Sequence, residues 1–296
     1  MPTSVQISDL EAMLAVLDVD QHDDDTFTGE HPAKTWQRTF GGQLLGQAVI
    51  AAGRTVPDCR GRRPLHALHA QFVRAGRIAP ITYQVTRLRD ERSLANRVVT
   101  AYQDDQVVAM FFASFQTTRA GLEHSEPMPT VPDPEALPVI TDSFAGREDR
   151  LTMFTESLLP VDIRYCDEPP WELQRQGRRP TVCQAWMRAD GVLPEDPLVH
   201  YAALAWCSDM TPLDPIITRH GLAWGNDRIV AATLNHALWF HQPPRLDNWV
   251  LYTTESPTAA HSRALVTGHF HARNGAQIAT VQQEDVVLAR PSKTVP

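Results

Sequence analysis

Polar and apolar positions alternate along four successive runs, Leu65–Arg74, Ile81–Leu88, Ala95–Tyr102 and Val107–Phe115. In the second run Thr82, Gln84 and Thr86 interleave with Tyr83, Val85 and Arg87. That period of two is the mark of a half-buried antiparallel strand. Ahead of these runs the pattern changes. From Gly41 to Val56 the residues are small and apolar nearly all round, including Gly42, Leu44, Leu45, Gly46, Ala48, Val49, Ile50, Ala51 and Ala52. Apolarity on most faces predicts a buried helix, with glycines that permit close packing at some cost in helix propensity. A long helix wrapped by an antiparallel sheet is the simplest assembly of these parts. Upstream, Ile7 to Leu17 predicts a short amphipathic helix, followed by the acidic run Asp23–Asp25 and a further strand.

The same order then returns. Strands are predicted near Val161–Tyr165 and Val182–Arg188, and a helix from about Asp196 to Met210. Glu195, Asp196 and Pro197 open that helix, where acids and proline are favoured, and Pro212 stops it. Four strand runs follow: Ile229–Leu234 with its extension to His241, Trp249–Thr254, Arg263–Arg273 and Gln277–Leu288. Between the two sets, Pro127, Pro129, Pro132, Pro134 and Pro138 deny the chain regular ladders or helix interiors. These features predict an α+β chain of two tandem copies: an N-terminal domain over 1–118, a Pro-rich linker over 119–158 crossing the surface, and a C-terminal domain over 159–296.

Residue spacings suggest how the copies align. With Phe72 and Phe240 as anchors, Gly41 and Asp209 each lie 31 residues upstream. Gln116 follows its anchor by 44 residues and Gln283 by 43, each after a polar turn pair, Asp104-Asp105 and Asn274-Gly275. His69-Ala70 and His236-Ala237 occupy the same place in the two copies on this reading. A repeat this long is a duplicated domain, since solenoid units run to about 20–50 residues. On this alignment one copy carries an acid where the other carries glycine.

Composition narrows the function. Hydrophobic content of 43% and charged content of 21% are ordinary for a globular protein. A net charge of −8 argues against a nucleic-acid surface and means that any polyanionic ligand must be held by local arginines. No run approaches the ~18–20 apolar residues of a membrane span. Met1 to Asp24 lacks the features of a secretory signal, and Lys293–Pro296 is not a peroxisomal address. Cys59, Cys166, Cys183 and Cys207 show no metal-ligand spacing and read as free thiols in a reducing cytoplasm. Neither a metal nor a cofactor is expected.

Three polar residues of the second copy can converge. Asp209 falls in the last turn of the buried helix, Thr233 in the next strand and Gln283 in the final strand. A carboxylate at a helix C-terminus among apolar neighbours should have a raised pKa. A carboxylate, a hydroxyl and an amide around one point can hold and polarise a water. Taken singly each has an ordinary structural role, Asp209 as a local capping group and Thr233 and Gln283 as strand residues. His69 and His236, found in both copies, read as core hydrogen-bonding groups rather than proton carriers. Ser93, Ser114 and Ser208 lack a G-x-S-x-G elbow, so a serine triad is not supported.

Phe40-Gly41-Gly42-Gln43, His66 through Arg74, Ala113–Gln116, Cys207-Ser208-Asp209, Ala232-Thr233, His236–His241 and Val281–Glu284 together resemble the type II acyl-CoA thioesterases. The resemblance runs from about residue 25 to about 290, in the family's order. It implies a double hotdog fold, an acyl-CoA substrate, and hydrolysis to free acid and CoA. It also implies that Asp209, Thr233 and Gln283 orient the attacking water, with Gln282 a nearby competitor that strand alternation would turn away. Backbone N–H groups near Gly42 and Gln43 are oxyanion candidates, and the acyl tail would lie in an apolar tunnel between the halves. Asn235, Gln242, Ala75 and Asp285 depart from the family pattern, the last standing where glycine is usual. A homo-oligomer is expected, with Trp171 or Trp224 at its interface. Two rival readings are a double-hotdog enoyl-CoA hydratase, for which Asp196-Pro197-Leu198-Val199-His200 is a loose match, and a non-catalytic acyl-CoA sensor.

Overall fold

The computed structural model describes residues 8–33, 38–145 and 157–290. Ile7, part of the linker (146–156) and Lys293–Pro296 lie outside the described residues. The first half contains helix α1 (Asp9–Leu17), strands β1 (Asp20–Gln21) and β2 (Thr26–Gly29), helix α2 (Gly41–Arg54), and strands β3 (Leu65–Phe72), β4 (Ile81–Asp90), β5 (Leu94–Gln103) and β6 (Gln106–Gln116). The second contains β7 (Val161–Tyr165), helix α3 (Pro170–Arg175), β8 (Val182–Ala189), helices α4 (Pro197–Cys207) and α5 (Asp214–Arg219), then β9 (Arg228–Phe240), β10 (Val250–Ala260), β11 (Arg263–Ala272) and β12 (Gln277–Arg290).

Among the described residues these strands form one antiparallel sheet, ordered β1-β2-β4-β5-β6-β3-β9-β12-β11-β10-β8-β7. The order is a palindrome of two equivalent six-strand halves, joined where β3 pairs with β9. Each half curls around its own helix, and α2 and α4 pack against each other at the centre. This is the double hotdog that the resemblance implies. The helix contact is close because α2 offers glycines to it: a Cβ on Gly42 would lie 2.4 Å from the Trp206 carbonyl oxygen, and one on Gly46 3.1 Å from that of Ala202. Burial follows the strand period, as in β5, where Ala95, Arg97, Val99 and Ala101 point inward.

Residues 128–137 of the linker lie along the second half, whereas Ile140 and Phe144, farther on, turn into the core. Met128, Val131 and Leu137 pack on Trp186, Trp249 and Leu251, and the Trp186 indole donates to the Pro132 carbonyl at 2.9 Å. Of the proposed interface tryptophans, Trp171 is wrong. It is 1% exposed and packs at 5.9 Å on Phe144 inside the protein.

The duplication holds for elements but not for the residue spacings that suggested it. Gly41 opens α2, whereas Asp209 follows the end of α4, so the two are not equivalents. Their matching distances to Phe72 and Phe240 arise because α5 is inserted between α4 and β9. The true counterparts at the helix ends are Thr55 and Ser208, each a C-cap whose hydroxyl oxygen lies 2.8 Å from the carbonyl oxygen three residues earlier. Gln283 pairs with His236, while Gln116 ends β6 opposite Leu94. The residue equivalent to Gln283 is Ala113, which pairs with Leu68 as Gln283 pairs with His236. His69 and His236 likewise have opposite strand parity relative to the phenylalanine anchors: His69 is exposed and His236 buried.

Candidate active site

Asp209 sits one residue beyond the C-cap of α4, rather than within its last turn. Ser208 closes the helix, and the Asp209 N–H reaches the Trp206 carbonyl at 3.4 Å. The turn carries the carboxylate across the interface to the N-terminus of α2. There Phe40 supplies no side-chain cap, and Asp209 Oδ2 lies so close to Gly41 that a Cβ at that residue would meet it at 2.5 Å. The Gly42 N–H acts on the carboxylate and favours its charged form, as donors at a helix N-terminus do.

Thr233 would face away from His236 in a regular strand, because three residues separate them. A bulge removes the conflict. Asn235 pairs with Glu284, Thr233 with Asp285, and Leu234 is left over. The extra residue turns Thr233 to the same face as His236, Gln283 and Asp285. The Thr233 hydroxyl donates to Asp209 Oδ1 at 3.3 Å. The Gln283 amide donates to Thr233 Oγ1 at 3.1 Å and to Asp285 Oδ1 at 2.8 Å. Gln283 Oε1 meets His236 Nδ1 at 2.5 Å, and His236 Nε2 lies 2.9 Å from Ser208 Oγ.

These contacts form a directed chain. An N–H on His236 Nδ1 donates to Gln283, which donates to Thr233, which donates to Asp209. His236 can serve as a neutral anchor because burial drops its pKa to about 4. Gln283 and His236 are each 1% exposed, whereas Asp209 and Thr233 are partly open. The reactive end of the chain is therefore the end that solvent or substrate can reach. Burial first, and the Asp285 carboxylate second, raise the Asp209 pKa to about 7 against the opposing donors Thr233, Gln283 and Gly42. Of the two causes expected from sequence, the apolar surroundings are the larger source of that rise. Asp209 faces the N-terminus of α2, which opposes the rise.

Sequence alone thus brings Asp209, Thr233, Gln283 and Gly42 to one place, and marks His236 as a structural hydrogen-bonding group. It misses His236 as the anchor of Gln283, and Asp285 as a member of the cluster. Strand alternation carries the second signal, since Gln283 and Asp285 are two apart and share a face. The Gln43 side chain is fully buried and donates away from the site, to the Glu30 carbonyl at 3.0 Å. Its backbone N–H belongs to the first turn of α2, ahead of the helix's own hydrogen-bond ladder. Asn235 donates to Glu284 Oε2 at 3.2 Å and so stays outside the network. Among the described residues no group of three or more His, Cys, Asp or Glu has the disposition of a metal site.

Asp196 and His200 lie at the other end of the helix. Asp196 caps α4 through the Leu198 N–H at 3.0 Å and pairs with Arg60 at 2.6 Å. His200 is 1% exposed and packed in the core. Neither is near Asp209.

Residues 154–286 match the model of an acyl-CoA thioesterase family, and residues 31–116 match that of an acyl-CoA thioesterase N-terminal domain. The chain is 34% identical to acyl-coenzyme A thioesterase 8 of Mus musculus, over 96% of this chain and 91% of that protein. It is 30% identical to acyl-CoA thioesterase 2 of Haemophilus influenzae, over 94% and 97% respectively. Among solved structures, an acyl-CoA thioesterase II from Mycobacterium marinum superposes with a TM-score of 0.76 at 32% identity, covering 95% of this chain and 99% of that one.

Proposed function

Since the chain belongs to the acyl-CoA thioesterase family and is a thioester hydrolase acting on acyl-CoA, we propose that Asp209, Thr233 and Gln283 carry out that hydrolysis without a covalent intermediate. The observation that carries this assignment is the directed hydrogen-bond chain ending on Asp209 at the mouth of the site. Thr233 fills one carboxylate oxygen, which leaves Oδ2 to accept a proton from a bound water. The water attacks the thioester carbonyl, its proton passes to Asp209, and the tetrahedral oxyanion collapses with loss of the CoA thiolate. First-turn N–H groups of α2, Gln43 in particular, receive the oxyanion in this mechanism, a role supported by their lack of partners within the helix ladder. Phe72, whose ring lies 3.4 Å from the Cβ position of Gly41, gives the acyl chain an apolar wall beside the carboxylate.

A base works best when its pKa lies near the working pH, and the raised value at Asp209 meets that condition. The hydratase reading lacks a paired acid and histidine here, because Asp196 and His200 are built into the far end of α4. A sensor would need no oriented base. The four free cysteines fit a reducing compartment such as the cytoplasm, and among the described residues no helix is long and apolar enough to cross a membrane. Self-association is assigned to the outer face of β5, β6 and β3. There Met110 and Phe112 are 44% and 43% exposed, beside a cavity of about 440 Å³ lined also by Val98, His69 and Gln71.

The deciding experiment is thiol release from a series of acyl-CoAs, acetyl to palmitoyl, by wild type and Asp209→Ala. Turnover abolished by the substitution in a folded protein supports the assignment. Turnover that survives it overturns the roles assigned to these three residues.

A further inference from the structure

Asp285 is fully buried, at 0% exposure, and its Oδ2 has no hydrogen-bond partner. Its Oδ1 takes one of the two N–H bonds of the Gln283 amide, and the other N–H goes to Thr233. Because Oε1 of the same amide is engaged by His236, Gln283 has no further donor to offer a water. Thr233 stands between two carboxylates with one proton to give, and gives it to Asp209. Among the described residues neither carboxylate forms a salt bridge. A buried carboxylate with an empty oxygen and no cation is costly in its charged form. Two such groups around one hydroxyl and one amide cannot both ionise freely.

Resting on the assignment of Asp209 as the base, we propose that Asp285 is a second carboxylate of the active site, a positioning residue whose charge sets the pH at which Asp209 becomes available as the base. The titratable and charged groups around Asp285 come from each neighbouring element. Asp209 faces it from the turn after α4, His236 from β9, and Tyr252 from β10, its hydroxyl donating to the Ser208 carbonyl at 3.1 Å. On β12 itself, Glu284 is turned aside and paired with Arg263 at 3.1 Å. His236 is neutral and Tyr252 protonated across the working range, because burial lowers the first pKa and raises the second. Asp285 is therefore the group left to vary the charge beside Asp209. Burial raises its own pKa, and its proximity raises that of Asp209.

The pair titrates in sequence. Asp285 has the Gln283 amide on Oδ1 at 2.8 Å, and its pKa is raised to about 6, whereas that of Asp209 is raised to about 7. Asp285 therefore loses its proton first, and the remaining proton of the pair is held on Asp209. The charge already on Asp285 opposes the second ionisation.

The test is the pH profile of kcat/KM for wild type, Asp285→Asn and Asp285→Gly on one acyl-CoA, with Asp209→Asn alongside. The titrations of the substrate are then common to all. Both Asp285 variants remove the charge and should move the acid limb down by about one pH unit or more. The asparagine keeps an acceptor for Gln283 and the glycine does not, so a shift common to both identifies charge as the cause. Superimposed acid limbs in folded variants overturn the proposal, as does a shift confined to glycine. Activity surviving in Asp209→Asn would instead remove the base assignment on which the proposal stands. If the asparagine variant does not fold, the glycine profile decides alone.

Discussion

Asp209→Asn should make the protein more stable while removing its activity. The substitution keeps the shape and the acceptor for the Thr233 hydroxyl, but not the charge. A rise in carboxylate pKa from its ordinary 3.8 to about 7 corresponds to ~4 kcal/mol of destabilisation in the fully ionised folded state, at about 1.4 kcal/mol per pH unit. Part of this belongs to repulsion from Asp285, and Asp209 is partly open to water, so the net gain should be smaller, about 2 kcal/mol. In a chain of this size that is roughly 4–8 °C in Tm. The raised pKa also sets the pH window. A carboxylate whose folded pKa exceeds its unfolded value carries no penalty below about pH 4, and the full penalty above pH 7. The Tm difference between variant and wild type should therefore be near zero at pH 4 and largest at pH 8, by calorimetry in matched buffers. Turnover at pH 8 should fall by about three orders of magnitude or more, the scale of losing a general base together with its oriented water. A variant less stable than wild type at pH 8, or a Tm gain independent of pH, would refute the reasoning about Asp209.

Gly41→Ala should lower kcat about 100-fold, the scale of an ångström's misplacement of a reacting group. Its new methyl would meet Asp209 Oδ2 at 2.5 Å, and steady-state kinetics with a melting curve would separate this from unfolding. His236→Leu leaves Gln283 Oε1 buried without a donor. It should cost about 1–3 kcal/mol of stability and reduce kcat with little change in KM, measured by denaturant titration and thiol release. Arg97→Met should cost about 3 kcal/mol, with kcat retained below the melting transition. Its buried guanidinium donates to Thr55 Oγ1, the carbonyls of Thr55, Arg89 and Asn96, and Asp90 Oδ1.

The strands and helices were legible because each announces its own period. The alternation of Thr82 to Arg87 and the apolar face of 41–56 are local properties of the chain. Residue equivalence between the halves was not local. It depended on the α5 insertion, which lengthens one path from helix to strand and so counterfeits a shared 31-residue spacing. The convergence of Thr233 with Gln283 was legible from residue type and position along the chain, although alternation alone would set Thr233 and His236 on opposite faces. The bulge at Leu234 that reconciles them leaves no clear mark in the residue pattern. Asp285 was visible as a departure, but its effect depends on a burial that no single strand reveals.

The true alignment of the halves explains why only one of them holds a reactive carboxylate. Where β9 and β12 present His236 and Gln283, β3 and β6 present Leu68 and Ala113, so the first half has no polar chain to build upon. Its helix also ends differently. Ser208 meets a neutral imidazole through its hydroxyl and the Tyr252 hydroxyl through its carbonyl, whereas the equivalent Thr55 is bound through both groups by the charged Arg97. A fully bonded guanidinium pins the end of α2 and closes that corner with a fixed positive charge. At the matching corner of the second half the partners are uncharged, and the turn after α4 carries Asp209 to the opposite helix. The α2 N-terminus that receives it has no side-chain cap from Phe40, so the first half contributes the stabilising dipole and the second the base. Neither half holds this site alone, which gives the duplication a chemical consequence: separating the halves would break the carboxylate–helix contact.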